Sequence, residues 1–156
     1  KRAQIANQSV EIFKPELDKR YDDEDVVSHN QNTIASVPVE SASQILLMAY
    51  DAEVIGIDEA QFFDNELPNV CNQLANNGVR VIVAGLDMDF KGKPFGPMPN
   101  ILAIANFVTK VHAICIQCGA LAQFSFRKVQ GDQQVMLGET DSYLPLCRKC
   151  YNDKNK

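Results

Sequence analysis

The sequence predicts an α/β fold, in which a parallel sheet is followed by a smaller unit built around cysteines. Short hydrophobic segments alternate with helical segments of about ten residues, the order typical of parallel βαβ units. After residue 110 this alternation gives way to cysteines, polar strands and short turns. We therefore expect a core over residues 1–110 and a second unit over residues 111–156.

Two short strands begin the core, over 10–13 and 34–39, on either side of a polar and charged segment. Pro15 is expected to stop the first strand. Serines at 41 and 43 can cap a helix whose apolar residues are Ile45, Leu46, Met48 and Ala49. A strand over 53–57 follows.

Asp64 can cap the next helix, whose apolar residues recur at the spacing of one buried stripe: Leu67, Val70, Cys71, Leu74 and Ala75. In this stripe Cys71 is interpreted as a small core residue. Gly78 should end the helix, and a strand rich in β-branched residues follows over 79–84. A helix from Asn100 to Val108 and a strand over 111–116 complete the predicted elements.

Composition argues against several classes of protein. The 156 residues carry a net charge of −5, which argues against nonspecific nucleic-acid binding because such binding needs a basic surface. Hydrophobic residues make up 46% and charged residues 22%, as in an ordinary globular protein. No apolar run approaches the roughly 18 residues of a membrane span. Residues 1–5 lack the apolar region of a signal peptide, so the cytoplasm is the expected compartment.

The strand over 53–57 ends in two carboxylates, Asp58 and Glu59. Ligands of open α/β sheets bind at the carboxyl ends of the strands. An Asp at this edge can hold Mg²⁺ through oxygen ligation, and the neighbouring Glu can act as a base or position a nucleophile. The run suggests nucleotide chemistry; a solvated turn is the alternative.

Four cysteines form two Cys-x-x-Cys pairs, separated by 28 residues: Cys115, Cys118, Cys147 and Cys150. Paired knuckles of this kind predict a tetrahedral zinc site. Four protein ligands leave no open coordination position, so the zinc would be structural. Unlinked reduced cysteines or a redox pair are the alternatives.

These features together resemble the type II thymidine kinases, the zinc-containing P-loop deoxynucleoside kinases, and in detail their bacterial members. The resemblance covers essentially the whole chain. It rests on segments that occur in one order: 13–15, 18–21, 26–30, 57–63, 81–90, 93–96, Tyr143 and both cysteine knuckles. It implies a P-loop, RecA-like nucleotide-binding core with a zinc-ribbon subdomain. It also implies transfer of the γ-phosphoryl group of ATP to the 5′-hydroxyl of thymidine, giving dTMP in nucleotide salvage.

The resemblance implies a role for each site residue. Glu59 would be the general base, Asp58 would bind Mg²⁺ and Gln61 would lie beside the nucleotide phosphates. The walls of the thymine pocket would be Phe62, Leu86, Phe90 and Phe95. A substrate-covering lasso loop would grip the base edge through its backbone, with Tyr143 near the sugar; its residues here are Gln134, Val135, Met136, Leu137 and Gly138. ATP and thymidine would be the ligands, deoxyuridine a further acceptor, and a homotetramer the assembly.

One part of the family pattern does not occur in these residues. The family has a glycine-rich P-loop near its N-terminus that cradles the ATP phosphates. We expect this segment to precede Lys1 in the full-length protein; a truncated, inactive form is the alternative. Two other functions compete with the kinase. A nucleic-acid-dependent ATPase would explain Asp58 to Gln61, and a noncatalytic zinc-ribbon binding module would explain the four cysteines.

Overall fold

A computed structural model describes residues 2–16, 35–128 and 142–155. Strand β3 (Val54–Ile57) is a central strand of its four-stranded sheet. It lies between β1 (Val10–Pro15) and β4 (Arg80–Val83), and β2 (Val37–Val39) lies on the far side of β1. All three pairings are parallel, as the sequence predicts. Three of the four residues of β3 are buried, because a central parallel strand is covered on both faces.

The register of the sheet brings three strand ends to one edge. Phe13 pairs with Ile57, and Ile57 pairs with Val83. The segments that follow Ile57 and Val83 therefore leave the sheet side by side. This register places Asp58 and Gly85 at the same carboxyl edge.

Three of the α-helices are longer than one turn and pack with this sheet: α2 (Ala42–Met48), α3 (Leu67–Asn76) and α4 (Met98–Ile104). A short helix, α1 (Arg2–Ile5), precedes β1. Helix α3 buries the predicted stripe apart from Ala75, which is exposed, and ends before Gly78, whose φ of +85° suits glycine. Asp64 precedes α3, and its carboxylate accepts hydrogen bonds from the N–H groups of Glu66 and Ala42. One side chain thus serves the starts of two helices.

The described chain forms two compact units. The first contains the described residues up to Leu86 together with Gly96–Ala105, and the second contains Asp87–Phe95 and the described residues from Asn106 onward. The first unit has a core around Phe13, Ile45, Ile55 and Leu67, all fully buried. The second has its own core around Cys115, Phe124 and Leu146.

The second unit consists of two small antiparallel sheets and a helix. Strand β5 (Ala113–Ile114) pairs with β6 (Leu121–Ala122), and β7 (Phe124–Arg127) pairs with β8 (Tyr143–Leu146). Helix α5 (Arg148–Lys154) follows β8. The aromatic rings of Phe124 and Tyr151 stack with centroids 4.5 Å apart.

Several predicted boundaries are wrong. Strand β1 does end at Pro15, as expected, but it continues two residues beyond Phe13 and pairs with β2 there. The second strand covers only Val37–Val39, and α4 begins at Met98, since prolines at 97 and 99 suit a first helical turn. Helix α4 ends at Ile104, where Ala105 becomes extended, so the half-exposed Val108 lies outside it.

The strand predicted over 111–116 is also wrong in its extent. Only Ala113 and Ile114 are in a strand, and its partner is antiparallel. The turn of the first knuckle begins at Cys115, whose N–H donates to Ala120 O at 2.7 Å, and this turn ends the strand. Val111 is 89% exposed, so the apolar run does not mark a buried strand.

Candidate active site and metal centre

The two carboxylates lie where β3 ends. The N–H of Asp58 donates to the carbonyl of Phe13 at 2.9 Å, which extends the β1–β3 ladder by one residue. The chain then turns at Glu59, whose φ of 49° and ψ of 38° are left-handed, and enters a short 3₁₀-helix over Ala60–Phe62. The N–H of Ala60 donates to the carbonyl of Ala84, just after β4, at 3.0 Å. This turn places both acidic residues at the carboxyl edge of the sheet.

Burial distinguishes the two carboxylates. Asp58 is half-buried and its Oδ1 accepts the N–H of Glu59 at 2.9 Å, whereas Glu59 is exposed. A non-glycine residue in the left-handed region costs free energy and is held there by its surroundings. The exposed carboxylate of Glu59 therefore lies on a turn whose neighbouring residues, Asp58 and Ala60, are both hydrogen-bonded to adjacent backbone.

Gln61 is the buried polar residue of this edge. It is 2% exposed, and its side-chain Nε2 donates to Oε2 of Glu59 at 2.6 Å. Its Oε1 accepts the N–H of Leu86 at 2.9 Å. The amide therefore contacts both the acidic turn and the loop after β4.

The four cysteines converge in the second unit. Their sulfur atoms all lie within 4.8 Å of one another, and Sγ of Cys118 is 3.6 Å from Sγ of Cys147. A tetrahedral site with metal–sulfur bonds of about 2.3 Å spaces its sulfurs about 3.8 Å apart, so this geometry fits a metal ion. Within residues 2–16, 35–128 and 142–155 this is the one cluster of His, Cys, Asp or Glu with such convergence.

The thiols of this cluster have unequal acidities. Burial raises the pKa of the Cys115 thiol, but hydrogen bonds from the backbone of Cys147, Gln117 and Cys118 outweigh burial and bring that pKa to about 6. Burial raises the pKa of Cys150 to about 12. A bound cation would hold all four sulfurs as thiolates, because a coordinating thiol is deprotonated.

The predicted aromatic and apolar residues divide between the two units. Phe62 is half-buried and Leu86 is 49% exposed in the first unit. In the second unit, Phe95 is buried and Phe90 is half-buried. Tyr143, also in the second unit, is half-buried at the start of β8.

Arg127 brings two of these rings together. Its guanidinium carbon lies 4.2 Å from the ring centroid of Phe90 and 5.7 Å from that of Tyr143. The residue is 7% exposed, so the cation–π attraction acts largely out of water. Sequence reasoning missed this role, because an arginine beside Lys128 at a strand end resembles ordinary surface charge.

A family model described as "TK: Thymidine kinase" matches residues 1–151. The chain belongs to the thymidine kinase family. It is 64% identical to a thymidine kinase of Porphyromonas gingivalis over 151 residues, which are 97% of this chain and 74% of that protein. A Bacteroides thetaiotaomicron thymidine kinase is also 64% identical, over 97% of this chain and 76% of its own. A thymidine kinase of Rhodothermus sp. is 57% identical, over 97% of this chain and 71% of that protein.

The structure brings some of the predicted site residues together. Gln61 contacts both Glu59 and Leu86, and Arg127 lies against the rings of both Phe90 and Tyr143. The predicted lasso residues, from Gln134 to Gly138, lie outside the described residues. Arg20 and His29, for which the sequence suggested no firm role, also lie outside them. Among the described helices, none has the length and apolar character to cross a membrane.

Proposed function

We propose that the full-length protein transfers the γ-phosphoryl group of ATP to the 5′-hydroxyl of thymidine. The observation that carries this proposal is the pair of carboxylates at the carboxyl end of β3, in a chain of the thymidine kinase family. In the transfer, the 5′-oxygen of thymidine forms a bond to the γ-phosphorus. The bond from that phosphorus to the β–γ bridging oxygen breaks, and ADP leaves.

Glu59 is the proposed general base. Its exposed carboxylate can accept the proton that the 5′-hydroxyl loses, and proton transfer of this kind contributes roughly 10²- to 10⁴-fold to a rate. Asp58 would hold Mg²⁺, directly or through water, since a half-buried carboxylate at this edge suits a hard cation. Bound Mg²⁺ neutralises charge on the phosphates.

The nucleoside would contact the aromatic and apolar residues that the family resemblance assigns: Phe62, Leu86, Phe90, Phe95 and Tyr143. Flat apolar walls suit a pyrimidine base, which needs few polar contacts for orientation. A pocket built for the thymine methyl can also admit deoxyuridine, because one missing methyl costs only about 1–3 kcal/mol. Residues 134–138 are proposed to hold the base edge through their backbone.

Zinc is the metal proposed for the four cysteines. Two Cys-x-x-Cys knuckles with converging sulfurs suit tetrahedral Zn²⁺, and full protein ligation makes the role structural. The two cysteine pairs flank the segment that contains the predicted lasso, so a zinc ion bound by both pairs would hold the ends of that segment together. A cytoplasmic homotetramer is proposed from the family resemblance.

The test is ATP-dependent phosphorylation of thymidine by the full-length protein, with Glu59→Gln as the variant. We expect kcat to fall at least 100-fold while the midpoint of thermal unfolding is unchanged, because the base is lost and the exposed side chain keeps its size. Glu66→Gln is the matched control, since Glu66 is an exposed carboxylate at the start of α3. Wild-type turnover by Glu59→Gln would refute the assignment of the base. ATP hydrolysis stimulated by DNA or RNA without thymidine would instead support the ATPase alternative.

A further inference from the structure

We propose that Gln61 is a positioning residue, which holds the carboxylate of Glu59 and connects it to the loop after β4. This inference rests on the proposed function, because it assumes that Glu59 is the base. The family resemblance led us to expect Gln61 beside the nucleotide phosphates. The contacts of its side chain point to a different partner, the base itself.

Both ends of the Gln61 amide are used inside the protein. Nε2 donates to Oε2 of Glu59 at 2.6 Å, a short bond typical of a charged acceptor. Oε1 accepts the N–H of Leu86 at 2.9 Å. Only this orientation of the amide works, because the reverse would oppose two acceptors at Glu59 and two donors at Leu86. At 2% exposure, the residue offers almost no surface to a phosphate.

Two glycines make room for Gln61. A Cβ at residue 85 would lie 2.8 Å from Oε1 of Gln61, and a Cβ at residue 96 would collide with the main-chain carbonyl of Gln61. Gly96 also has a φ of +48°, which favours glycine. The surrounding backbone thus approaches Gln61 so closely that larger residues do not fit at either position.

Holding Glu59 in this way matters for catalysis. An exposed carboxylate on a long side chain samples several rotamers, and a base must point at the proton that it removes. The bond from a buried amide fixes the carboxylate before substrate arrives, which lowers the entropic cost of the reaction. The same amide holds Leu86, a proposed wall of the nucleoside pocket. The side chain of Gln61 therefore fixes the position of the general base, Glu59, relative to Leu86 in the proposed nucleoside pocket.

Gln61→Glu and Gln61→Met separate the two hydrogen bonds in the full-length protein. An ionised glutamate can still accept the N–H of Leu86 but places a second negative charge against Glu59 in place of the amide donor, whereas methionine makes neither bond. We expect kcat for thymidine to fall about 10- to 100-fold in both variants, the usual effect of losing a hydrogen bond to a charged group. The Kd of a non-hydrolysable ATP analogue, measured by calorimetry, should stay within twofold of wild type. Unchanged kcat with at least tenfold weaker analogue binding would overturn the inference in favour of a phosphate contact.

Gln44→Met is the matched control. The Oε1 of Gln44 accepts the N–H of Glu40 at 2.9 Å in the same unit, so this variant also loses a bond from a glutamine to the backbone. Because Gln44 does not contact Glu59, its replacement should leave kcat at the wild-type value. A loss of kcat as large in Gln44→Met as in the Gln61 variants would mean that general destabilisation, not positioning, explains the effect, and would overturn the inference.

A double variant tests whether Gln61 acts through Glu59. If it does, adding Gln61→Met to Glu59→Gln lowers kcat by less than twofold more, since the base is already gone. A further loss of tenfold or more would show independent action and overturn the inference. Failure of the proposed function has a different signature: Glu59→Gln alone would keep wild-type kcat. If only the Gln61 inference fails, Glu59→Gln still loses kcat at least 100-fold, whereas the Gln61 variants keep the wild-type kcat.

Discussion

Gly85→Ala is the perturbation that tests the packing of this edge most directly. The new methyl would lie 2.8 Å from Oε1 of Gln61, 3.1 Å from Sδ of Met98 and 3.2 Å from Cβ of Ala60. The side chain of Met98 can move, but Ala60 is held by its hydrogen bond to Ala84. We therefore expect the methyl to displace the amide of Gln61.

The expected cost has two parts. Overpacking a well-packed site lowers the free energy of unfolding by about 1–3 kcal/mol. Displacing the amide also weakens its bonds to Glu59 and Leu86, so kcat should fall about 10- to 100-fold, as for loss of a hydrogen bond to a charged group. The damage to activity should thus exceed what the loss of stability explains.

Gly78→Ala is the control for a glycine replacement without a clash. Gly78 has a φ of +85°, and no atom of the described residues lies within 4 Å of the position that a Cβ would take. The left-handed backbone alone should cost about 1–2 kcal/mol, with no effect on kcat. Urea unfolding and steady-state kinetics, at a temperature where both variants are folded, give the two quantities. If Gly85→Ala keeps the kcat of Gly78→Ala, the reasoning about Gln61 is wrong.

Three further predictions concern other parts of the fold. Arg127→Met should raise the KM for thymidine about tenfold without changing the KM for ATP, because the rings of Phe90 and Tyr143 lose the guanidinium that holds them and ordering them on binding then costs about 1.4 kcal/mol. Cys118→Ser should lower the zinc content, measured by elemental analysis, and the midpoint of thermal unfolding together, since it removes one of four ligands. Burial raises the pKa of Cys71 in the folded protein to about 11, against an ordinary 9.0. The stability that this provides is complete below pH 9 and is lost as pH rises to 11, by at most about 2.7 kcal/mol. Cys71→Ala should therefore show a shallower decline in unfolding free energy over that range.

Each of these three has a control or a contradicting result. Arg148→Met is the control for Arg127, because the Arg148 guanidinium lies 4.9 Å from the ring centroid of Phe124, which is not a proposed pocket residue. Equal effects of the two arginine variants would contradict the role of Arg127. Full zinc content in Cys118→Ser would contradict the four-ligand site. Parallel declines for wild type and Cys71→Ala would contradict the assignment of the alkaline loss to that thiol.

Local sequence patterns predicted most of the elements of the first unit. The stripe from Leu67 to Leu74 needs only helical periodicity, and it is buried as expected. Patterns were less reliable where local structure depends on distant contacts. The apolar character of Val108 and Val111 places both in predicted elements, yet both are exposed and lie outside the helices and strands of the described residues.

The sequence by itself determined the acidic pair at the end of β3 and the four cysteines with metal-ligand spacing, because residue types and short spacings are sufficient for both. The sequence also determined the family assignment, because the family's motifs lie within short segments. Only the tertiary structure decided how Gln61 is used and that Arg127 lies against Phe90 and Tyr143. Those contacts join residues up to 37 positions apart, from Phe90 to Arg127. The physical reason is that hydrogen bonds and cation–π contacts depend on distances of a few ångströms between separate segments, which only the folded chain sets.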